Sequence, residues 1–317
     1  MRPTGKLHLG HLVGALENWV ALQGEFQNFH LIADYHALTT SLDTSQLYQN
    51  SFDMLIDWLA AGIDPKQSPV FRQSQIKEHT ELHLLLSMLI TSARLERNPT
   101  VKDQVRDLNI ENISYGHLGY PVLQAADILL YKGEVVPVGE DQVPHVEITR
   151  EIARRFNTQY GNVFPEPEAK LTKFARLPGL DGNMKMSKSA GNTILLSDSP
   201  DEIKKRMKTA VTDPKKIRKG DPGRPEICLV FTYHQKFNPT EVPQVEQGCR
   251  SGALGCVDCK LNCANHIIDV LAPFREKRAY FESHQGEVKD ILHDGEGRAK
   301  KVALQTMAEV HEVMKVG

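Results

Sequence analysis

Short apolar segments alternate with longer stretches of helical periodicity in the first half of the chain. Three apolar segments have the length and composition of buried parallel strands, at residues 29–33, 69–71 and 135–138. Between them the apolar positions recur every three or four residues, which predicts helices over 8–23, 44–61, 80–97 and 144–156. Strands that alternate with helices are typical of a doubly wound parallel sheet, so we predict an α/β fold.

The pattern changes in the second half of the chain. From Ser199 to Arg278, clusters of Pro, Gly and Asp interrupt helical stretches and strand signals are few. A last amphipathic helix is predicted over residues 297–315. We therefore expect three regions: an α/β domain over 1–190, a smaller all-helical domain over 191–280, and a C-terminal helix over 281–317 that packs back on the body.

Composition restricts the class of protein. The 317 residues are 40% hydrophobic and 25% charged, as in soluble globular proteins, and no apolar run is long enough for a membrane span. Residues 1–6 lack the apolar core of a secretory signal. Five cysteines, an odd number in a chain of this size, argue against a disulfide framework and indicate a reducing cytoplasm.

Charge is unevenly distributed along the chain. The net charge is −2, yet residues 201–226 carry nine Lys and Arg against five Asp and Glu. Such a local basic segment can supply contacts to nucleic-acid phosphates that the net charge conceals. A solvated helical face explains the same charges equally well.

Two short motifs carry the candidate chemistry. His8-Leu9-Gly10-His11 begins a predicted helix at a glycine turn, where free backbone N–H groups and the helix dipole favour an anion. Lys185-Met186-Ser187-Lys188-Ser189 is a polar loop with two lysines. Each motif alone is weak, since short His/Gly strings occur by chance and charged loops are usually solvated. Together, they are suited to hold one triphosphate from opposite sides.

In this order, the two motifs resemble the signatures of class I aminoacyl-tRNA synthetases. Further segments match a narrower group, namely Tyr120–Leu129 (YPVLQAADIL), Gly139–Gln142 (GEDQ), His145 and Arg150. The chain resembles bacterial tryptophanyl-tRNA synthetases from Arg2 to its C-terminus. The resemblance implies a homodimer with a Rossmann-like core that activates L-tryptophan with ATP and esterifies tRNA(Trp), whose anticodon the smaller domain reads. It implies neither a membrane nor DNA as a partner.

The resemblance also assigns the residues that meet ATP. Its catalytic set is His8, Gly10, His11, Lys185 and Lys188. Further residues that border the nucleotide are Arg2, Pro3, Thr4, Gly139, Glu140, Asp141, Met186, Ser187 and Ser189. Attack of a carboxylate on the α-phosphorus forms no covalent enzyme intermediate, so positioning and charge stabilisation must supply the catalysis. Mg²⁺ would arrive with ATP, held largely by phosphates and water.

For the amino acid, the resemblance assigns Asp127 to the indole N–H and Gln142 to the α-amino group. Tyr120, Gln124 and His36 border the same substrate. An indole has one hydrogen-bond donor and no acceptor, so one buried carboxylate suffices as polar partner. The alternative is that Asp127 caps the N-terminus of a helix starting at Ile128. For His36, a purely structural role explains the position nearly as well as a contact with the substrate.

The cysteines follow a spacing of their own. Cys228, Cys249, Cys256 and Cys259 are spaced C-x20-C-x6-C-x2-C, and Cys263 follows. Four thiolates can hold an iron–sulfur cluster or a zinc ion. A subset of the family has a similar pattern that ligates a 4Fe–4S cluster, with a somewhat longer first spacer. Zinc, reduced cysteines without metal, and a zinc site in which Cys263 replaces Cys228 remain alternatives.

The chain departs from the family pattern at one point, and three other functions compete with the one that the resemblance implies. Family members carry a strand before the Pro3-Thr4-Gly5 segment, so we expect an upstream segment to supply the central strand of the sheet. The rival functions are a tyrosyl-tRNA synthetase, a nucleotidyltransferase with a His-x-Gly-His motif, and a catalytically idle RNA-binding paralogue. The helical second domain and the lysine motif argue against the nucleotidyltransferase.

Overall fold

The computed structural model describes residues 1–107, 110–171, 177–183, 186, 188 and 190–316. The chain forms two compact units. The first comprises Met1–Gly5, Asn18–Lys173 and His284–Gly317, and the second comprises Lys6–Glu17 and Phe174–Ser283.

Fourteen α-helices are found among the described residues. In chain order they are α1 (Leu9–His11), α2 (Glu17–Leu22), α3 (Asp34–Leu38), α4 (Leu47–Ala61), α5 (Glu78–Ser87), α6 (Ser92–Glu96), α7 (Pro99–Asp107), α8 (Tyr115–Leu129), α9 (Val143–Tyr160), α10 (Pro200–Thr209), α11 (Leu229–Phe237), α12 (Val242–Ser251), α13 (Cys256–Ser283) and α14 (Gln285–Met314). The π-helical segment Leu12–Leu16 joins α1 to α2.

The first unit contains the four described strands, arranged as two parallel pairs. Strand β1 (His30–Ile32) pairs with β2 (Val70–Arg72), with Leu31 opposite Phe71. Strand β3 (Val135–Val138) pairs with β4 (Glu168–Leu171), with Val136 opposite Ala169. Three of the four strands fall on the predicted apolar segments, and the parallel pairing supports the α/β class.

The core of the first unit joins β2 to helices α5, α8, α9 and α14. It is built from buried apolar residues such as Phe71, Leu82, Ala125 and Ile152. Helix α14 crosses β2 closely: a Cβ on Gly295 would lie 2.0 Å from the Val70 carbonyl oxygen, so only glycine fits there. The predicted C-terminal helix exists, but it begins twelve residues earlier than residue 297.

Helix α8 carries several candidate site residues, and the periodicity did not predict it. Ser114 caps its N-terminus, where the Ser114 hydroxyl oxygen accepts a hydrogen bond from the His117 N–H at 3.1 Å. Asp127 lies in the last turn of this helix. The alternative interpretation, in which Asp127 caps a helix starting at Ile128, is therefore wrong.

In the second unit, α10 and α11 pack against α13. Ile203, Met207, Tyr233 and Ile267 are buried in this unit. The Tyr233 hydroxyl donates to the Pro178 carbonyl at 2.7 Å, which ties α11 to the loop that carries the lysine motif. Across the described part of the chain, no helix is both long and apolar enough to cross a bilayer.

Candidate active site

In the second unit, the histidine motif (His8–His11) and the lysine motif (Lys185–Ser189) are joined through the backbone. His8 forms an antiparallel bridge with Leu195, which follows the lysine motif by a few residues. The Leu9 N–H donates to the Ile194 carbonyl at 3.0 Å, and the Leu196 N–H donates to the Leu7 carbonyl at 2.9 Å. The C-terminal end of the lysine loop is thus anchored to the start of the histidine motif.

The hydrogen bonds of His8 and His11 fix the position of their protons. The Nδ1 atom of His8 accepts from the Gly10 N–H at 3.1 Å, and Nδ1 of His11 accepts from the His8 N–H at 3.2 Å. Burial, together with the positive charge of Lys188, lowers the pKa of His8 to about 4. Burial, the neighbouring His8 and Lys188 lower the pKa of His11 to about 3. At neutral pH both rings are therefore uncharged, and each carries its proton on Nε2, ready to donate.

Gly10 is enclosed by side chains of both motifs. A Cβ at this position would lie 3.0 Å from the His8 ring and 3.1 Å from the sulfur of Met186. Met186 is itself buried. The close packing explains why the smallest residue stands between the two histidines, since any side chain would push apart the ring and the thioether.

The loop that carries the lysine motif is closed at its base by Asp181. One carboxylate oxygen of Asp181 accepts from the Asn192 side-chain amide at 2.9 Å and from the Asn183 N–H at 3.0 Å. The Leu180 N–H donates to the Asn192 carbonyl at 2.8 Å. Lys188 is exposed, and its charge reaches both histidines. Lys185, Ser187 and Ser189 lie outside the described residues.

In the first unit, Asp127 is the centre of a buried polar cluster. His36 Nε2 lies 2.9 Å from Asp127 Oδ2. On the other oxygen, Gln73 Nε2 donates to Oδ1 at 2.7 Å, and His79 Nδ1 lies 2.7 Å from the same atom. Burial alone would raise the pKa of Asp127, but the hydrogen bonds from His36 and His79 outweigh it and hold the pKa well below the usual range. Asp127 is therefore a carboxylate at neutral pH.

Two members of this cluster, Gln73 and His79, were not predicted from the sequence. Gln73 follows strand β2 at its carboxyl end, and His79 lies in the first turn of α5. Both are fully buried. Their signal in the sequence is their position after a parallel strand, where open α/β sheets bind ligands.

A second hydrogen-bonded chain joins Tyr120, His145 and Gln142. The Tyr120 hydroxyl lies 2.9 Å from His145 Nε2, and His145 Nδ1 lies 3.0 Å from Gln142 Oε1. Burial, with a contribution from His36, lowers the pKa of His145 to about 4, so its ring is neutral. Burial raises the pKa of Tyr120, which keeps the phenol protonated. The tyrosine thus donates to His145, which in turn donates to Gln142.

The other residues assigned to the ligands are less enclosed. Arg2, Pro3 and Thr4 line a cavity of about 190 Å³ together with residues between 37 and 50. Gly139 precedes the 3₁₀ turn Glu140–Gln142, and a Cβ on it would lie 2.9 Å from an Asp141 carboxylate oxygen. Glu140 and Asp141 are exposed, and Gln124 is half-buried.

The cysteines gather in the second unit. Cys228, Cys249, Cys256 and Cys259 are half-buried and free, whereas Cys263 is fully buried. Burial raises the pKa of Cys259 to about 12, and the nearby thiols of Cys228, Cys249 and Cys256 add to the increase. The four side chains therefore lie near one another. Within the described residues, no group of three or more His, Cys, Asp or Glu side chains is arranged to hold a metal ion.

Gly223 and Lys216 lie against this cysteine group. The Gly223 N–H donates to the Cys249 carbonyl at 2.8 Å, and a Cβ on Gly223 would lie 2.6 Å from the Cys249 sulfur. The Lys216 ammonium is buried and donates to the same carbonyl at 3.1 Å. A buried cation beside the thiols is suited to an anionic group.

The comparisons with known proteins cover the whole chain. A tryptophan–tRNA ligase of Thermotoga maritima is 50% identical over 100% of this chain and 98% of its own length. One from Aquifex aeolicus is 43% identical over 100% and 98% of the two chains. The crystal structure of tryptophanyl-tRNA synthetase from Campylobacter jejuni, complexed with ADP and tryptophan, superposes with a TM-score of 0.89. It is 36% identical and covers 100% of this chain and 98% of that one.

These similarities confirm the expected α/β class with a Rossmann-like synthetase core. The family model of class I tRNA synthetases for tryptophan and tyrosine matches residues 1–272. This match includes the histidine motif, Asp127 and all five cysteines. The chain belongs to the family of tRNA synthetases class I (W and Y).

Proposed function

We propose that this enzyme is a tryptophan–tRNA ligase. It activates L-tryptophan with ATP to the adenylate, releases pyrophosphate, and transfers tryptophan to the terminal ribose of tRNA(Trp). The observation that carries the proposal is the ionised Asp127 in its buried cluster, a single acceptor for the single donor of an indole. The tryptophan–tRNA ligase of Thermotoga maritima, which is 50% identical over the whole of this chain, supports it.

The histidine and lysine motifs provide the groups that adenylate formation needs. Neutral His8 and His11 each present an Nε2–H as a donor to phosphate oxygens. Gly10 places no side chain between the two histidines. Lys188, beside them, supplies positive charge as pyrophosphate leaves, and we assign Lys185, Ser187 and Ser189 the same task. Arg2, Pro3, Thr4, Gly139, Glu140, Asp141 and Met186 are proposed to border the nucleotide. Mg²⁺ bound with ATP offsets part of the phosphate charge.

The amino-acid pocket is proposed to use both buried networks of the first unit. Asp127 accepts the indole N–H, with His36 beside it on the same oxygen. The relay from Tyr120 through His145 turns Gln142 Oε1 into a fixed acceptor, which suits an α-ammonium group. Gln124, half-buried on α8, is proposed to border the ring.

The remaining assignments extend the proposal to the whole chain. Residues 1–190 form the catalytic region, residues 191–280 read the tRNA anticodon through basic side chains, and 281–317 support the body. Helix α14 contributes Ala299, Ala303 and Met307 to the core that also holds α8. We further propose a homodimer that works in the cytoplasm, in keeping with five free thiols.

Amino-acid-dependent exchange between ATP and pyrophosphate tests the activity. We expect exchange with tryptophan, and kcat/KM for tyrosine lower by about 10⁴, because a phenol hydroxyl also needs a donor as partner and Asp127 only accepts. Equal or better exchange with tyrosine would identify a tyrosyl-tRNA synthetase. No exchange with either amino acid, together with retained tRNA binding, would identify the idle paralogue.

For the cysteines we propose a 4Fe–4S cluster held by Cys228, Cys249, Cys256 and Cys259. The four thiols are free and half-buried, burial and the other three raise the pKa of Cys259, and the buried ammonium of Lys216 offsets negative charge beside them. A four-iron cluster separates its thiolates more widely than a single zinc ion does. Four thiolates are the usual protein ligands of such a cluster.

Anaerobic purification gives a direct measurement of this cluster. The protein is expected to be brown, with about four iron and four sulfide per chain, and Cys228→Ser should lose most of both. Cys263→Ala, at a buried position outside the proposed ligand set, is the matched control and should keep its iron. Colourless protein with one zinc per chain, unaffected by Cys228→Ser, would instead favour the zinc site that uses Cys263.

A further inference from the structure

His79 is fully buried and bridges two polar groups of the first unit. Its Nε2 lies 2.8 Å from the Tyr131 hydroxyl, and its Nδ1 lies 2.7 Å from Asp127 Oδ1. Tyr131 follows α8, the helix that carries Asp127, whereas His79 lies on α5. The three residues form a line from the apolar core, where Tyr131 packs against Phe29 and Phe71, to the carboxylate.

The direction of the hydrogen bonds along this line is determined by Asp127. An ionised carboxylate only accepts, so His79 must carry a proton on Nδ1 to approach Oδ1 at this distance. In a neutral ring, Nε2 is then an acceptor, and the Tyr131 hydroxyl must donate to it. Burial raises the pKa of Tyr131, which keeps this donor protonated throughout the physiological range.

The donors around Asp127 are unequally divided between its two oxygens. Oδ1 accepts from Gln73 and has His79 Nδ1 only 2.7 Å away, so these two side chains close off this oxygen. Oδ2 receives His36 alone among the described residues. One acceptor position is left on the carboxylate, and it lies on Oδ2. The line from Tyr131 through His79 thus determines which oxygen is occupied and which remains open.

We propose that His79 and Tyr131 are positioning residues that hold Asp127 with Oδ2 turned toward the substrate, and so set the preference for an amino acid with an indole N–H. The proposal rests on the tryptophan specificity proposed above and adds residues that the indole does not touch. Without the Tyr131 hydroxyl, His79 can take its other tautomer, with the proton on Nε2. Its unprotonated Nδ1 would then face Oδ1 and push the carboxylate out of place.

Tyr131→Phe tests the proposal with the loss of one oxygen atom. Exchange kinetics are measured with tryptophan and with its benzothiophene analogue, in which sulfur replaces the indole N–H. The ratio of kcat/KM for tryptophan to that for the analogue is expected to fall about 5- to 10-fold, through the KM for tryptophan. Because the ratio compares two substrates on one sample, the fraction of folded enzyme cancels.

The matched control is Tyr160→Phe, the same change at another tyrosine packed against this core. It should leave the substrate ratio unchanged. His79→Asn, which places an amide N–H near the position of Nδ1, should keep more of the discrimination than His79→Leu. If Tyr131→Phe lowers kcat/KM equally for both substrates, or changes neither, the substrate ratio stays constant and the proposal is overturned. An equal loss would show a purely structural role. Failure of the parent enzyme to use tryptophan would refute the proposed function instead.

Discussion

Asp127→Asn is expected to lower kcat/KM for tryptophan about 100-fold or more in ATP–pyrophosphate exchange, while kcat/KM for the benzothiophene analogue changes far less. The substitution keeps the shape of the side chain and removes its charge. The expected effect is large because the amide must replace an acceptor-only group that is surrounded by donors on both oxygens.

Neither orientation of the asparagine amide satisfies the cluster. If its oxygen takes the place of Oδ1, it can accept from Gln73 and His79, but its NH₂ group then faces the indole N–H. If its oxygen takes the place of Oδ2, the NH₂ group meets two donors in a buried site. A buried unpaired polar group costs free energy in either case.

A matched control for this substitution is Asp290→Asn, the same change at an exposed position on α14. It should leave exchange with tryptophan unchanged. If Asp127→Asn activates tryptophan as well as the parent enzyme, the assignment of Asp127 to the indole is wrong. An equal loss for tryptophan and the analogue would assign Asp127 to the architecture of the pocket rather than to recognition.

The strands show how far periodicity predicts this fold. The three apolar segments became β1, β2 and β3. Strands β1 and β2 are mostly buried, as a continuous apolar run in a parallel sheet indicates, whereas β3 is half-buried except at Val138. Strand β4 has the sequence Glu-Ala-Lys-Leu and is largely exposed, so its pairing with β3 rests on backbone hydrogen bonds. No pattern of side chains marks such a strand.

The helices show where a periodic pattern fails. The helix predicted over 80–97 is divided into α5 and α6, because Thr91 caps a new helix through its side-chain oxygen. Helix α8 was not predicted, since it is buried on most of its circumference and contains Pro121. The proline misleads the prediction, because a proline within an apolar pattern normally indicates that a helix ends before it.

The sequence predicted those residues of the candidate site that belong to a recognisable motif. His8, Gly10 and Asp127 lie in buried, closely packed surroundings suited to the roles that the resemblance implies, although those roles stay predictions. Gln73, His79 and Tyr131 belong to no motif; Gln73 and His79 contact Asp127, and Tyr131 contacts His79. Their convergence depends on tertiary packing, which single-sequence reasoning does not reach.

Lys188→Ala is expected to lower kcat for tryptophanyl-adenylate formation about 100-fold, with less than about a 3-fold change in the KM for tryptophan. Lys188 is exposed, and its positive charge helps to keep His8 and His11 neutral. Charge on the departing pyrophosphate increases as the bond to the α-phosphorus breaks. A cation at this position therefore stabilises the transition state more than bound ATP, and its loss should appear in turnover.

The control is Lys208→Ala on α10, an exposed lysine outside the motif, which should exchange pyrophosphate at the parental rate. Lys185→Ala is predicted to behave as Lys188→Ala does. Single-turnover formation of the adenylate, measured at saturating ATP, separates turnover from affinity. If Lys188→Ala weakens ATP binding while turnover at saturation stays unchanged, this lysine contributes affinity alone. The charge stabilisation would then have to come from the neutral donors His8 and His11 and from the metal that accompanies ATP.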